Sequence, residues 1–209
     1  MTDLQSRRLL SRSVAFLSQF AGCFGRPSQH EASRKYIRGL LSDQPRKSIQ
    51  PMVEAITCTA DYQSLQHFIT HANWNEQAVW KHLRRCVPAG PGVYVIDDTG
   101  FPKQGLHSVG VSRQYSGTLG KVGSCQVAVS AVFAQKRRVW PMGLDLYLPR
   151  QWAEDPARRK SAGVPDSLVF QEKWRIALTQ MDQARHDGIL IDAVVADAGY
   201  GKSSSSGRA

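Results

Sequence analysis

The first 90 residues carry a helical pattern of apolar positions. Apolar side chains recur three or four positions apart, which is the spacing of one helix face. The clearest of them are Leu9, Leu10, Ala15, Phe16, Phe20, Tyr36, Ile37, Leu40, Leu41, Phe68, Ile69, Val79, Trp80 and Leu83. Polar breaks near residues 25–27 and 42–45 separate the runs. We therefore predict a helical N-terminal region over residues 1–90.

The pattern changes at residues 88–92, where the sequence reads Pro-Ala-Gly-Pro-Gly. Turn residues of this kind, followed by the apolar run 93–96, predict a short buried strand. The stretch 100–123 is rich in glycine, and we expect it to form a flexible loop. A domain boundary is expected at residue 90, with a second domain over residues 91–201.

The rest of the chain predicts two strands, a helix and a final strand. Residues 126–133 and 139–148 form a natural hairpin around the basic turn 135–138. A helix is predicted over residues 167–186, and a last strand over residues 189–196. The predicted helix face contains Phe170, Trp174, Ala177, Leu178 and Met181. The fold class is thus α/β, with the order β-β-β-α-β after the helical region.

Carboxylates follow two of these strands. A right-handed crossover makes the last strand parallel to the first and places it beside that strand. Asp97 and Asp98 end the first strand, and Asp197 ends the last. Because open α/β sheets hold their sites at the carboxyl ends of the strands, we expect these carboxylates to meet there. The alternative is that they only cap loops.

Composition narrows the class of protein. With 42% hydrophobic residues the chain is too apolar to stay disordered, and it has no apolar run of about 18 residues that would cross a bilayer. The four cysteines are scattered, which excludes a Cys-x-x-Cys zinc or redox pair. The formal net charge is +10, and the first 90 residues hold 12 basic against 6 acidic residues. This excess points to a polyanion such as nucleic acid.

Paired carboxylates in a basic protein suggest metal-assisted chemistry on phosphates. Two carboxylates about 4 Å apart repel by roughly 4 kcal/mol at an effective dielectric constant of 20, so they need a proton or a cation between them. Oxygen ligands select hard ions such as Mg²⁺ or Mn²⁺. A pair of such ions activates a water or a 3′-hydroxyl for in-line attack on a phosphodiester.

Several motifs resemble the DDE transposases of bacterial insertion sequences. They lie in segments 95–105, 113–121 and 194–201, with further similarity in 147–149 and 152–156. The resemblance implies a ribonuclease H-like fold, with Asp97 as the first catalytic aspartate and Asp197 as the second. Asp98 is the alternative to Asp97, since strand alternation shows only that one of the two points into the site. It also implies Mg²⁺ or Mn²⁺, with two ions in a complete site.

Such transposases complete the site with a glutamate on a later helix. Residues 202–209 read Lys-Ser-Ser-Ser-Ser-Gly-Arg-Ala, a low-complexity tail without an acid. We therefore expect a partial ribonuclease H-like domain that lacks the final strand and the glutamate helix, through a truncation or a change of reading frame. Whether the chain is an active enzyme is left open at this point.

The expected partner is DNA, both transposon ends and target. Phosphate contacts are expected from the glycine-rich loop through Arg113, Tyr115 and Lys121. They are also expected from two basic clusters, one of Lys136, Arg137 and Arg138 and the other of Arg158, Arg159 and Lys160. Two helical stretches around residues 57–59 suggest either a helix-turn-helix or simple bundle packing.

Two functions remain at this stage. The first is a transposase that cleaves and joins DNA strands at insertion-sequence ends with a divalent metal, impaired as a truncated chain. The second is a non-catalytic DNA-binding fragment that competes or assembles with an intact transposase. Either is expected in the bacterial cytoplasm at the nucleoid and away from membranes, with monomer and homo-oligomer both left open.

Overall fold

The computed structural model describes residues 3–56, 62–117 and 119–201. They fall into two compact units, one ending at His82 and one beginning at Leu83. The mixed α/β class is confirmed, because helices dominate the first unit and a five-stranded sheet dominates the second. None of the helices in the described ranges has the length and apolar character that crossing a membrane would require.

The first unit is helical, as predicted. Its helices are α1 (Asp3–Ser18), α2 (Pro27–Leu40), α3 (Ile49–Ile56) and α4 (Tyr62–His71). Helix α5 (Glu76–Arg85) begins in this unit, and its last residues belong to the second. Proline opens α2, where its missing N–H costs nothing. Met52 and Val53 of α3 are buried with Leu65 and Phe68 of α4. The turn at 57–59 that the helix-turn-helix hypothesis needs lies outside the described residues.

The second unit is built on one sheet. Its strands are β1 (Gly92–Pro102), β2 (Ser112–Ser116), β3 (Lys121–Gln135), β4 (Arg138–Leu146) and β5 (Ile191–Ala196). One edge of β3 pairs antiparallel with β1, and its other edge pairs antiparallel with β2 and then with β4. β5 pairs parallel with β1. The predicted parallel neighbour of the first strand is therefore confirmed.

The prediction of a flexible loop over residues 100–123 is wrong in part. β1 continues to Pro102, which pairs with Cys125, and β2 pairs with the first residues of β3. A Cβ atom on Gly100 would lie 2.3 Å from the Oγ of buried Ser116. Glycine at this position thus permits the close approach of the two strands.

The long helix also differs from its prediction. Helix α8 (Lys173–His186) begins six residues later than expected. The guanidinium of Arg159 explains the delay, because it donates to the carbonyl oxygens of Pro165, Asp166 and Leu168 and so holds that segment in a turn. The buried helix face consists of Ile176, Ala177, Gln180, Met181 and Ala184. Leu178, expected on it, is 43% exposed.

Two short helices, α6 (Arg150–Ala153) and α7 (Pro156–Ser161), precede α8. The Arg158 guanidinium lies 3.7 Å from the ring centroid of buried Trp152 and donates to the carbonyl of Leu106 at 2.8 Å. Since Arg159 is also engaged with backbone carbonyls, both arginines serve the fold. The sequence-based prediction of phosphate contacts from this cluster did not anticipate these intramolecular bonds.

One face of the sheet packs against α8. Tyr94, Ile96, Val129, Phe133 and Met142 form the sheet side of that core. At its margin, the Arg84 Nε donates to the Asp187 Oδ2 at 2.6 Å, and both side chains are almost fully buried. The opposite face of the sheet is more open, and Val195 on β5 is 53% exposed there.

Candidate functional site

Asp97 and Asp197 lie at neighbouring positions where the pairing of β1 with β5 ends. The prediction that Asp97 and Asp98 end the first strand is wrong, because pairing with β3 extends β1 to Pro102. The pairing of β1 with β5 ends with Ile96 opposite Ala196; Asp97 is the next residue of β1, and Asp197 directly follows the end of β5. Neighbouring strands lie about 4.8 Å apart. Because side chains alternate along a strand, Asp97 belongs to the open face, whereas Ile96 faces α8. Asp97 and Asp197 are both exposed.

Asp98 lies on the other face of β1 and has its own partners. Its Oδ1 accepts a hydrogen bond from the Tyr200 hydroxyl at 2.5 Å. Its Oδ2 accepts one from the Lys173 Nζ, also at 2.5 Å. The Lys173 ammonium lies 5.3 Å from the ring centroid of Tyr147. Both oxygens of Asp98 are therefore engaged within the protein.

The backbone at Asp97 is fixed while its carboxylate points outward. The Asp97 Oδ1 accepts the amide N–H of Asp98 at 2.7 Å. The Asp97 carbonyl accepts a hydrogen bond from the Ser130 hydroxyl at 3.0 Å, and that hydroxyl accepts one from Thr99 at 3.0 Å. This leaves Asp97 as an exposed carboxylate on an ordered backbone.

Asp197 opens the short helix α9 (Ala198–Gly201). Its Oδ1 accepts the amide N–H of Gly199 at 2.6 Å, and its carbonyl accepts the N–H of Tyr200 at 3.0 Å. These two bonds form a tight turn after β5. The turn directs the Tyr200 side chain towards Asp98 on the neighbouring strand.

Negative charge is concentrated around Tyr200. Burial raises the pKa of Tyr200, and the hydrogen bond to Asp98 and the charges of Asp98, Asp97 and Asp197 raise it further. The hydroxyl therefore stays protonated at neutral pH and remains a donor. Burial also raises the pKa of Tyr147. A site with this excess of carboxylate charge attracts cations.

The donor set fits a hard divalent ion that also binds phosphate. Within the described ranges, no three His, Cys, Asp or Glu side chains form a group that could hold a metal ion. Asp97 and Asp197 supply oxygen donors alone, on adjacent strands. Mg²⁺ usually keeps several waters and binds one or two carboxylates together with substrate phosphates. Two aspartates suit such an ion.

The residues expected to contact DNA fall in two separate places. Arg113 and Tyr115 are exposed and share one face of the β2–β3 ribbon, in which Tyr115 pairs with Val122. Lys121 pairs with Ser116 and therefore belongs to the other face. The ribbon extends from the same end of the sheet as Asp97, because β1 pairs with β3 as far as Cys125.

The basic turn lies at the far end of the sheet. Lys136 and Arg137 connect β3 to β4, and Arg138 pairs with Gln135. Ser130 is the residue that pairs with Asp97, so the turn begins five residues further along β3, about 17 Å away. Lys136, Arg137 and Arg138 are all exposed, but they do not join the aspartates.

Sequence reasoning missed Lys173, Tyr200 and Ser130 as members of this region. A signal existed for Lys173, since it lies three and four positions before Ile176 and Ala177 and thus on the buried helix face. Tyr200 stands inside a recognised motif, but nothing in its spacing identified Asp98 as its partner. The Ser130 contact follows from the strand register alone.

Comparisons with known proteins agree with the sequence motifs. A family model described as "DDE superfamily endonuclease" matches residues 19–207. The chain is 30% identical over 175 residues to a protein from Microchaete diplosiphon described as "Probable transposase for insertion sequence element IS701", an alignment that covers 81% of this chain. The chain spans 43% of that relative's length. No solved structure matches. The predicted resemblance to insertion-sequence transposases is confirmed.

Proposed function

The chain belongs to the DDE superfamily endonucleases, and from this we propose that it acts on DNA in transposition, with Asp97 and Asp197 holding a divalent ion at the scissile phosphodiester. Endonucleases of this superfamily generally use divalent metal ions. The observation that carries the proposal is the adjacency of two exposed aspartates, Asp97 and Asp197, where the pairing of β1 with β5 ends. We propose Mg²⁺ or Mn²⁺ as the ion, because the donors are oxygens alone.

Asp97 is the better candidate for the first ligand than Asp98. Both oxygens of Asp98 accept bonds from protein side chains, Tyr200 and Lys173. Binding an ion through Asp98 would break at least one of these contacts. The Asp97 carboxylate is engaged only through one oxygen in the contacts described above, and by its own neighbour's amide.

The strand order supports a ribonuclease H-like fold. Three antiparallel strands β4, β3 and β1 are followed across the sheet by β5, which runs parallel to β1 after the crossover through α8. We propose that the second unit has this fold. The region over residues 1–90 is proposed to bind DNA, in line with its excess of basic residues.

The bound ion would polarise the phosphodiester and activate the attacking hydroxyl. The protein's own residues would position this chemistry. Asp97 and Asp197 would hold the ion. The hydrogen bond from the Ser130 hydroxyl to the Asp97 carbonyl, and the one from the Gly199 amide to the Asp197 carboxylate, would keep the two aspartates in place. Arg113 and Tyr115 would contact the DNA that leaves the site along the β2–β3 ribbon, with Lys121 on its other face.

The basic turn is proposed to contact DNA at a distance from the site. Lys136, Arg137 and Arg138 are exposed but lie about 17 Å along β3 from the level of Asp97. Such contacts would add affinity without sequence choice. These contacts would also keep the protein on the DNA in the cytoplasm.

A non-catalytic role is the second candidate, and one observation favours it. The resemblance implies a third carboxylate, yet the described residues offer no group of three metal ligands. We propose that this chain by itself cleaves DNA weakly or not at all. In that case it would bind element ends and compete or assemble with a complete transposase.

A cleavage and binding assay separates the candidates. The 209-residue chain is incubated with a duplex carrying the element's terminal sequence, with Mn²⁺, Mg²⁺ or EDTA. Metal-dependent cleavage that Asp97→Asn and Asp197→Asn abolish supports the enzyme. The matched control is Asp192→Asn, an exposed aspartate on β5, the strand that Asp197 follows. Binding without cleavage supports the second candidate, and the absence of binding at low salt refutes both.

A further inference from the structure

Asp98 joins two parts of the chain that carry the proposed metal ligands. It follows Asp97 on β1, and it accepts a hydrogen bond from Tyr200, which stands three residues after Asp197. Backbone pairing between β1 and β5 ends at Ala196. The turn that carries Asp197 is thus bound to β1, beyond the paired region, through the Tyr200 hydroxyl.

Lys173 completes the arrangement from a third element. It is the first residue of α8, and its ammonium contacts the second oxygen of Asp98 at 2.5 Å. The pair is about one-third exposed, so the lysine offsets the charge of Asp98 without the full cost of burying an ion pair. The charge that remains towards the open face belongs to Asp97 and Asp197.

We propose that Asp98, Tyr200 and Lys173 form a clasp that positions Asp97 and Asp197 for the divalent ion without binding the ion themselves. The inference rests on the proposed function of the Asp97 and Asp197 pair. Partners that orient metal ligands typically account for a 10- to 100-fold change in metal affinity. These three residues are therefore positioning residues, and their effect is measured as a change in the affinity of the site for the ion.

The test is the affinity of the full chain for Mn²⁺ alone, measured without DNA from the electron paramagnetic resonance signal of the free ion. Tyr200→Phe keeps the ring and removes the hydroxyl, and we expect its dissociation constant for Mn²⁺ to rise about tenfold. The matched control is Tyr94→Phe on β1, because the Tyr94 hydroxyl is buried and has no hydrogen-bond partner among the residues that the structure describes. We expect the control to bind Mn²⁺ like the unaltered chain.

A double-mutant cycle tests whether Tyr200 acts through Asp98. Asp98→Ala should weaken Mn²⁺ binding about as much as Tyr200→Phe, and Tyr200→Phe should add little in that background. If Tyr200→Phe does not fold, Lys173 provides a second route: Lys173→Met should weaken binding and Lys173→Arg should restore most of it.

The outcomes separate the clasp from the function on which it rests. No Mn²⁺ binding by the unaltered chain refutes the proposed metal site and the clasp together. Binding by the unaltered chain that Tyr200→Phe and Lys173→Met leave unchanged overturns the clasp alone. If Asp98→Ala abolishes binding while Asp97→Ala retains it, Asp98 is itself the ligand and the inference is wrong.

Discussion

The buried ion pair between Arg84 and Asp187 gives a sharp prediction about stability. Their side chains are 5% and 4% exposed, and the Nε and Oδ2 atoms are 2.6 Å apart. Arg84 also donates to the carbonyl of Met142 at 3.1 Å. Removing one member of such a pair costs about 3–5 kcal/mol, because the other charge stays buried and uncompensated. We expect Asp187→Ala to lower the free energy of unfolding by that amount.

The two members of the pair are not equivalent. After Asp187→Ala, the guanidinium keeps only the Met142 carbonyl among its described partners. After Arg84→Met, the carboxylate still has Gln183 and His186 beside it, both of which lower its pKa, with the His186 Nδ1 3.5 Å from the Asp187 Oδ1. We therefore expect Arg84→Met to cost less than Asp187→Ala. Replacing both by apolar residues, as Arg84→Met with Asp187→Leu, should recover much of the loss, since apolar replacements of buried ion pairs are often neutral or stabilising.

Urea unfolding followed by tryptophan fluorescence at pH 7 measures these differences. A loss below about 1 kcal/mol for Asp187→Ala would refute the reasoning, because it would mean that water reaches the pair and compensates Arg84. A double variant less stable than either single variant would also refute it.

The same pair predicts a dependence on pH. Burial on its own would raise the pKa of Asp187, but the hydrogen bond and charge of Arg84 outweigh it and lower the pKa below its ordinary value. A depressed pKa in the folded state contributes stability above the unfolded pKa of about 3.9, and this stability is lost as pH falls through the folded value. The difference between the unaltered chain and Asp187→Ala should therefore shrink below about pH 4.

Three further predictions concern the sheet and its ribbon. Gly100→Ala should cost about 1–3 kcal/mol in urea unfolding, because its Cβ would overlap the Ser116 Oγ; Gly117→Ala, with open space around it, should cost almost nothing. Lys136→Gly should stabilise the chain by about 0.5–1 kcal/mol, since Lys136 has a φ of 55°. The logarithm of the DNA-binding constant falls as the logarithm of the salt concentration rises, and Arg113→Gln should make this dependence less steep by about 0.9. The control Arg185→Gln, at an exposed arginine, should leave it unchanged.

Local patterns were sufficient to predict the elements whose residues alternate or repeat clearly. The apolar run at Val93–Ile96 and the turn before it predicted β1, and the chirality of crossovers predicted that β5 lies beside it. β2 was missed because its sequence, Ser-Arg-Gln-Tyr-Ser, is polar and is stabilised by pairing with β3. Such pairing depends on the tertiary structure and cannot be predicted from the segment alone.

The candidate site was predictable only in part for a similar reason. The sequence predicts that Asp97 and Asp197 both follow strands; Asp197 does, whereas Asp97 lies inside β1, and the parallel pairing of β1 with β5 places the two residues side by side. Choosing between Asp97 and Asp98 requires knowing which sheet face α8 covers, and this depends on contacts between distant residues. The late start of α8 likewise depends on Arg159, whose partners are not encoded in the helical pattern.

The parallel pairing of β1 with β5 has a consequence for how the protein folds. Ile96 and Ala196 are paired although 100 residues separate them. The hairpin of β3 and β4 closes over two residues and can form early, whereas the β1–β5 contact must close a long loop first. The two aspartates therefore meet at a late step of folding. An incompletely folded or nascent chain carries both residues but has not yet brought them together, so the metal binding proposed above would begin only when the sheet is complete.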